Sequence, residues 1–280
     1  MIKIEALRRE KKKGRKWAML TAYDAPTAEL LDEAGVDFIL VGDSLGMVLL
    51  GYPSTAEVTM DEMIHHAKAA RRGTQRAPLI GDMPLKGVEK GPSQALHSAR
   101  RFMKEAGCDA VKIEWNDDAL AAIRLLVKNR IPVMAHLGLT PQTAKGKDGF
   151  KVQGRDAAGA LQIYENARLA EKAGAFGVLL ECVPAPVSAA ITRRLRIPVF
   201  GIGAGAACDG QVLVFHDMVG IFEKFSTRFV KRYARVGETM RGAVRRYAGQ
   251  VRRGKFPQRK HGFSMDAEAL TQFKKGLKTR

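Results

Sequence analysis

The chain has 280 residues and a formal net charge of +18 at pH 7, and this length suits one large α/β domain with a buried core. No apolar run reaches the ~18 residues that a membrane span requires, and no apolar segment typical of a secretory signal follows the basic N-terminus. Three scattered cysteines without C-x-x-C spacing argue against a zinc site and favour reduced thiols in a cytoplasmic protein.

The positive charge lies at the two ends of the chain. Residues 1–16 hold eight basic and two acidic residues, residues 228–280 hold 16 and three, and the body between them has a net charge of −1. Solvated basic segments are the ordinary interpretation of such ends, and attraction of a polyanionic substrate or of RNA is the alternative. Because aromatic and basic residues are not interleaved, we do not expect nucleic acid as a partner.

Eight apolar runs have the length and composition of buried parallel strands. In chain order they are residues 17–22, 37–42, 77–82, 110–114, 132–136, 176–181, 198–202 and 212–216. Helical patterns separate most of these runs, and only the connection 203–211 is too short for a regular helix. This alternation predicts a parallel sheet. Eight units favour a closed (β/α)8 TIM barrel over the alternative, a doubly wound open sheet.

We therefore predict three segments. Residues 1–16 form a basic, partly helical lead-in, residues 17–224 form the catalytic barrel, and residues 225–280 form a basic helical extension that packs on the barrel or on a partner subunit. Two connections are long, 43–59 and 137–155, and the glycines of the second predict a mobile lid. An ordinary exposed connection is the alternative for that loop.

Residues that can do chemistry stand at the carboxyl ends of consecutive predicted strands. They are Asp43, Asp82, Glu114, His136 and Glu181, and Lys112 shares a strand face with Glu114. In a barrel these ends form one rim, where active sites lie. We therefore predict an enzyme whose active site is built on this rim.

The carboxylates suggest a metal site, and the other side chains suggest substrate contacts. Asp43, Asp82 and Glu114 would repel one another without a counter-charge, and oxygen ligands favour Mg²⁺; helix capping is the alternative for any one of them. Lys112 is expected to bind an anionic substrate group or to form a structural ion pair. His136 is expected to hydrogen-bond to a substrate oxygen.

Glu181 ends a very apolar strand, so burial is expected to raise its pKa and suit it to act as a general base. Capping of the next helix is the alternative role. The glycine-rich run GIGAGA at 201–206 is similar to a dinucleotide fingerprint. Because no helix-length segment follows that run, we predict close backbone approach there and no dinucleotide site.

Eight short motifs between about residues 20 and 220 occur in an order and spacing that resemble the ketopantoate hydroxymethyltransferase family. They are TAYD at 21–24, VGDSLG at 41–46, GDMP at 81–84, VKIE at 111–114, HLGLTPQ at 136–142, KVQGR at 151–155, LECVP at 180–184 and GIGAG at 201–205. The resemblance implies a TIM barrel and a homo-oligomer, often a decamer. It also implies Mg²⁺, with 5,10-methylenetetrahydrofolate as cosubstrate.

Carried over by motif, the resemblance assigns a role to each rim residue. It implies metal ligands at Asp43, Asp82 and Glu114, a catalytic base at Glu181, and substrate contacts at Asp43, Ser44, Asp82, Lys112 and His136. The implied reaction transfers a hydroxymethyl group to 3-methyl-2-oxobutanoate through a metal-stabilised enolate. Its product, 2-dehydropantoate, leads to pantothenate and coenzyme A. Because the folate tail is acidic, the basic ends are a further hypothesis for its capture.

Two other functions stay open on the sequence. One is a Mg²⁺-dependent lyase for 2-oxo acids, of the isocitrate lyase or phosphoenolpyruvate mutase type. Those lyases typically carry a Cys-Gly-His loop, whereas Cys108, Cys182 and Cys208 are followed here by Asp, Val and Asp. The other is a basic nucleic-acid-binding protein on a decayed enzyme fold, and the retention of every rim residue argues against it.

Overall fold

Eight parallel strands close into a barrel in the computed structural model, which describes residues 2–144, 151–224 and 227–278. The strands are β1 Trp17–Thr21, β2 Phe38–Val41, β3 Leu79–Asp82, β4 Ala110–Glu114, β5 Val133–Gly138, β6 Gly177–Glu181, β7 Val199–Ile202 and β8 Gly210–Leu213. Each strand pairs with the next, and β8 pairs with β1. The predicted (β/α)8 barrel is confirmed, and the open sheet is excluded.

The described helices surround and extend this barrel. They are α1 Ile4–Lys12, α2 Ala25–Glu33, α3 Leu45–Val48, α4 Met60–Gly73, α5 Pro92–Glu105, α6 Ala119–Lys128, α7 Ala157–Lys172, α8 Ala185–Arg194, α9 Phe215–Met218, α10 Val236–Arg252 and α11 Ala267–Lys278. None of the helices in the described ranges is both long and apolar enough to cross a bilayer. The three cysteines, all in the described ranges, form no disulfide bond.

Continuous apolar runs form the strands because both strand faces are buried. Every residue of β2, β3 and β4 is buried, as expected for parallel strands between a barrel interior and a helix layer. The interior is filled by large side chains, among them Phe38 and Phe200, whose rings meet edge to face at 5.4 Å. The barrel is therefore a packed core that holds its strand ends in fixed positions.

At the carboxyl ends of the strands, two predictions are wrong by two residues or more, and strand pairing explains both. β5 does not stop at His136, because its pairing with β6 continues to Gly138 opposite Glu181. β8 was expected to end at His216, but its pairing with β1 ends at Leu213. The backbone N–H of Phe215 then donates to Thr21 Oγ1 at 3.1 Å, and the chain turns into α9.

The long connection after β2 contains short helical turns, and the one after β5 is described only in part. The segment 43–59 contains α3 and a 3₁₀ turn, Thr55–Glu57. The predicted lid at 137–155 includes residues 145–150, which lie outside the described residues, so the lid stays a prediction. The connection 203–209 between β7 and β8 contains no helix, as its length predicted.

The basic lead-in covers the amino end of the barrel. Lys11 Nζ donates to the carbonyls of Thr192 and Ile197 at 2.9 and 2.8 Å and lies 2.7 Å from Asp209 Oδ2. Asp209 also accepts from the backbone N–H of Val199 at 2.8 Å. Ile197 and Asp209 lie just before β7 and β8, and Thr192 lies in the last turn of α8. The helix α1 therefore lies at the end of the barrel opposite the carboxyl ends of the strands. This position argues against capture of folate by the lead-in.

The C-terminal extension is helical, as predicted, but it buries little of itself within one chain. In α10 only Gly237 is buried, and a stripe of Met240, Val244, Tyr247 and Val251 is exposed. On the barrel, Ala18 of β1 and the opposing Gln211 of β8 are also exposed. Packing of these helices on a partner subunit stays a prediction.

We expect Lys11→Met to lower the free energy of unfolding by about 2 kcal/mol, because it leaves the Asp209 carboxylate without its cation and removes two hydrogen bonds. Urea unfolding followed by circular dichroism measures the change. Lys12→Met, an exposed position on the same helix, is the control and should alter stability by less than about 0.5 kcal/mol. Equal effects of the two substitutions would contradict the prediction.

Candidate active site

The strand register brings the predicted site residues together at the carboxyl end of the barrel. Asp82 pairs with Lys112 across β3 and β4, and Glu114 pairs with His136 across β4 and β5. Glu181 ends β6. The rim predicted from strand ends is therefore present.

The first half of the site is a buried pair of carboxylates with one cation. The backbone N–H of Asp43 donates to Asp82 Oδ2 at 3.1 Å, and Lys112 Nζ lies 2.8 Å from Asp82 Oδ1. Burial raises the pKa of Asp43 well above its usual range, and the neighbouring Asp82 charge raises it further. Burial opposes the charge of Lys112, but the surrounding carboxylates outweigh it and raise the pKa of its ammonium.

The second half of the site is centred on His136. Its Nε2 lies 3.1 Å from Glu181 Oε2, and its Nδ1 lies 3.5 Å from Glu114 Oε2 and 3.2 Å from Lys112 Nζ. Burial and the Lys112 charge oppose a charged imidazole. The contacts with Glu114 and Glu181 favour it and raise the pKa of His136 to about 9. His136 therefore links the Lys112 side of the rim to Glu181.

Glu181 is the most accessible carboxylate of the set, with a side chain 16% exposed. The backbone around it is tightly constrained. Gly138 has φ +95°, and a Cβ there would lie 2.3 Å from the Glu181 carbonyl oxygen, so only glycine fits beside it. Cys182 has φ +49°, a rare conformation for a residue with a side chain and one that concentrates at functional sites.

Ser44 lies next to Asp43 after β2, at the same rim. Its Oγ is 2.9 Å from the hydroxyl of Tyr23, which is completely buried. The Tyr23 ring stacks on His216 with centroids 5.4 Å apart. The sequence interpretation assigned no role to His216. His216 contacts Tyr23 because it lies in α9, directly after β8, and β8 pairs with β1.

Gln142 is the site residue that sequence reasoning missed. Its side-chain nitrogen donates to Asp43 Oδ2 at 2.8 Å, and its backbone N–H donates to Glu114 Oε1 at 3.1 Å. The residue lies in the HLGLTPQ motif, but no strand or helix periodicity singles it out. Its place in that motif and in a long glycine-containing loop after β5 was the available signal.

Two of the three predicted carboxylate ligands, Asp43 and Asp82, lie together in a way that suits a divalent cation. Among the described residues, no three His, Cys, Asp or Glu side chains already form a complete ligand set. Asp43 and Asp82 do lie side by side, buried and with like charge, an arrangement that a cation would stabilise. Mg²⁺ commonly binds through one or two carboxylates and keeps its remaining positions for water and substrate. Glu114 is joined to this pair through Gln142.

Comparison with known proteins gives a family and several close relatives. The family model described as ketopantoate hydroxymethyltransferase matches residues 1–259. A 3-methyl-2-oxobutanoate hydroxymethyltransferase from Oleidesulfovibrio alaskensis is 51% identical over 269 residues, 96% of this chain and 93% of the relative. One from Syntrophus aciditrophicus is 50% identical over 262 residues, 94% and 96% of the two chains.

Solved structures with the same fold are more distant in sequence. A phosphonopyruvate hydrolase in complex with oxalate and Mg²⁺ superposes with a TM-score of 0.61 at 15% identity, covering 100% of this chain and 98% of that one. A 2,3-dimethylmalate lyase of the phosphoenolpyruvate mutase/isocitrate lyase superfamily has a TM-score of 0.61 at 17% identity, with the same coverage of both chains. At these identities the likeness shows the fold alone.

We expect His136 to stay protonated through neutral pH in the metal-free protein and to titrate near pH 9. Its raised pKa means that its contribution to stability is complete below about pH 6.5 and is lost as the pH rises through about 9. Imidazole NMR of EDTA-treated protein measures the titration. Glu181→Gln should lower the pKa of His136, and the exposed His97 should not respond. Titration of His136 below pH 7 would contradict the assignment.

Proposed function

The chain belongs to the ketopantoate hydroxymethyltransferase family, and on that premise we propose that it transfers a hydroxymethyl group from 5,10-methylenetetrahydrofolate to 3-methyl-2-oxobutanoate. The product would be 2-dehydropantoate, for pantothenate and coenzyme A synthesis in the cytoplasm. One observation carries the proposal: Glu181 and the Asp43–Asp82 pair share a buried rim with a cation, Lys112. That rim would supply a base, a cation for an anionic substrate group and carboxylate ligands for a metal.

Substrate binding follows from the charges on the rim. Asp43 and Asp82 would hold Mg²⁺, with Glu114 beside them, and the bound ion would supply Lewis-acid polarisation of the 2-oxo acid. The Lys112 ammonium is fixed by Asp82 at 2.8 Å and offers an anionic oxygen a charge-assisted hydrogen bond. Ser44, oriented by Tyr23, offers a hydroxyl next to Asp43 in the chain.

Glu181 is the proposed base. It takes the proton from C3 of 3-methyl-2-oxobutanoate, and the electron pair of that C–H bond moves into the enolate. Lys112 stabilises the negative charge that develops on the 2-oxo oxygen. His136, 3.1 Å from Glu181, holds the carboxylate in one orientation. C3 would then attack the methylene carbon of the folate, both carbon–nitrogen bonds of that methylene would break, and water would supply the hydroxyl group. The two freed nitrogens would take up the proton held by Glu181 and the second proton of the water.

The two alternative functions have less support. The lyases of the isocitrate lyase type share the fold at under 20% identity, whereas the relatives at about 50% identity carry the hydroxymethyltransferase name. The basic charge that suggested nucleic acid lies partly in α1, which contacts the amino end of the barrel through Lys11. A nucleic-acid-binding role also leaves the buried carboxylates of the rim unexplained.

We also propose that the chain forms a homo-oligomer, the decamer of the family resemblance being the specific expectation. The exposed stripe of α10 supports this, because an amphipathic helix with its apolar face in water is stabilised by packing. The uncovered pair Ala18 and Gln211 on β1 and β8 offers a surface on which such a helix can pack. A second copy of this chain is the proposed occupant.

We expect the protein with Mg²⁺ to exchange the C3 proton of 3-methyl-2-oxobutanoate in D₂O without folate. Glu181→Gln should slow this exchange by about 10²- to 10⁴-fold, the usual contribution of a general base. Proton NMR of the substrate measures the rate, and formation of 2-dehydropantoate should require 5,10-methylenetetrahydrofolate.

Glu33→Gln, an exposed position on α2, is the matched control and should exchange at the wild-type rate. Absence of exchange in the wild type, with a folate analogue present to complete the site, would overturn the proposed substrate. Exchange that persists in Glu181→Gln would leave the substrate standing and overturn the base.

We expect Val244→Asp to reduce the mass of the particle in solution, because it places a charge in the apolar stripe of α10. Analytical ultracentrifugation measures the mass against the 30.7 kDa of one chain. Gln250→Asp, on the same helix but outside the stripe, should leave the assembly intact. A wild-type protein that sediments as a monomer at micromolar concentration would rule out the proposed assembly.

A further inference from the structure

We propose that Gln142 is a positioning residue that holds Asp43 and Glu114 in the arrangement that a divalent cation needs. This inference rests on the proposed function, since that function places the cation at Asp43 and Asp82. Gln142 itself is 5% exposed and lies on the loop that follows β5. It acts through the carboxylates and is given no contact with the reacting atoms.

The side chain of Gln142 is fixed at its amide. Nε2 has two hydrogens, and it donates to the carbonyl of Met83 at 2.9 Å and to Asp43 Oδ2 at 2.8 Å. The Met83 carbonyl is a backbone group directly after β3, so it anchors the amide to the barrel. The remaining donor then holds one oxygen of Asp43 in place. A carboxylate restrained in this way loses less conformational entropy when it binds a metal.

The backbone of Gln142 performs a second task with different atoms. Its N–H donates to Glu114 Oε1 at 3.1 Å, while Glu114 Oε2 faces His136 Nδ1 at 3.5 Å. Gln142 therefore contacts two carboxylates of the predicted ligand set, Asp43 and Glu114. These carboxylates come from different parts of the barrel, after β2 and at the end of β4. Gln142 is thus the point at which the loop after β5 and these two carboxylates meet.

The geometry resembles the outer contacts of metal sites in general. Groups that hydrogen-bond to ligating carboxylates orient them, and their loss commonly weakens metal binding about 10- to 100-fold. A purely structural role is the competing explanation, in which Gln142 only fastens the loop to Met83. The two roles differ in what is lost: a fastening role lowers stability, whereas a positioning role lowers affinity for the cation in the folded protein.

Gln142→Met separates the two roles, because methionine is similar in size and cannot donate a hydrogen bond. The backbone N–H to Glu114 is retained, so the substitution removes only the contacts with Asp43 and Met83. Gln142→Asn is a second variant that keeps an amide in the buried position but is one methylene too short to reach both partners. Gln162→Met is the control, since Gln162 is exposed on α7 and its amide contacts the side chain of Asn166.

The experiment is a calorimetric titration of EDTA-treated protein with Mg²⁺ alone, with circular dichroism to establish folding at the same temperature. We expect the dissociation constant for Mg²⁺ to rise about 10- to 100-fold in Gln142→Met and Gln142→Asn and to be unchanged in Gln162→Met. Thermal unfolding without Mg²⁺ is measured beside it, so that a loss of stability is not mistaken for a loss of affinity.

Each outcome bears on a separate claim. Wild-type affinity for Mg²⁺ in both folded Gln142 variants, with or without a lower unfolding temperature, overturns the positioning role and leaves the proposed function intact. A wild-type protein that binds no Mg²⁺ overturns the metal site of the proposed function, and this inference fails with it. Weaker Mg²⁺ binding by the folded Gln142 variants alone supports the inference.

Discussion

Burial of excess negative charge at one end of the barrel is the constraint on which the candidate site depends. Asp43, Asp82 and Glu114 are all buried. Lys112 pairs with Asp82, and His136 lies 3.5 Å from Glu114. Carboxylates in such a place cost free energy unless they are paired or hydrogen-bonded. The site therefore depends on every contact that orients these carboxylates. Because they outnumber the cationic side chains beside them, a divalent cation bound there would be stabilised.

The polar groups at the two ends of the barrel have different kinds of contact. At the amino end, Lys11 on α1 satisfies the carbonyls of Thr192 and Ile197 and the carboxylate of Asp209, and this network contributes stability. At the carboxyl end, the polar groups of neighbouring strand ends contact one another and form the candidate site. The apolar interior between them separates these functions, so the rim can hold costly charges while the rest of the barrel remains an ordinary packed core.

The strand ends show how far sequence reasoning reached. Asp82, Glu114 and Glu181 were predicted at the ends of their strands, and all three stand there, because fully buried parallel strands are continuous apolar runs that stop at a polar residue. The ends of β5 and β8 were misplaced. Their limits depend on pairing with β6 and β1, and an apolar run does not reveal where its partner strand stops.

The amino-acid sequence by itself determined the barrel, the family resemblance and the identity of the rim residues, since each depends on local patterns of apolar and polar residues. Only the tertiary structure decided which rim residues touch. It placed His136 between Glu114 and Glu181, Tyr23 against Ser44, and Gln142 on Asp43, a partner 99 positions away in the chain. Such contacts have no periodicity in sequence, because they arise only when barrel closure brings distant strand ends to one rim.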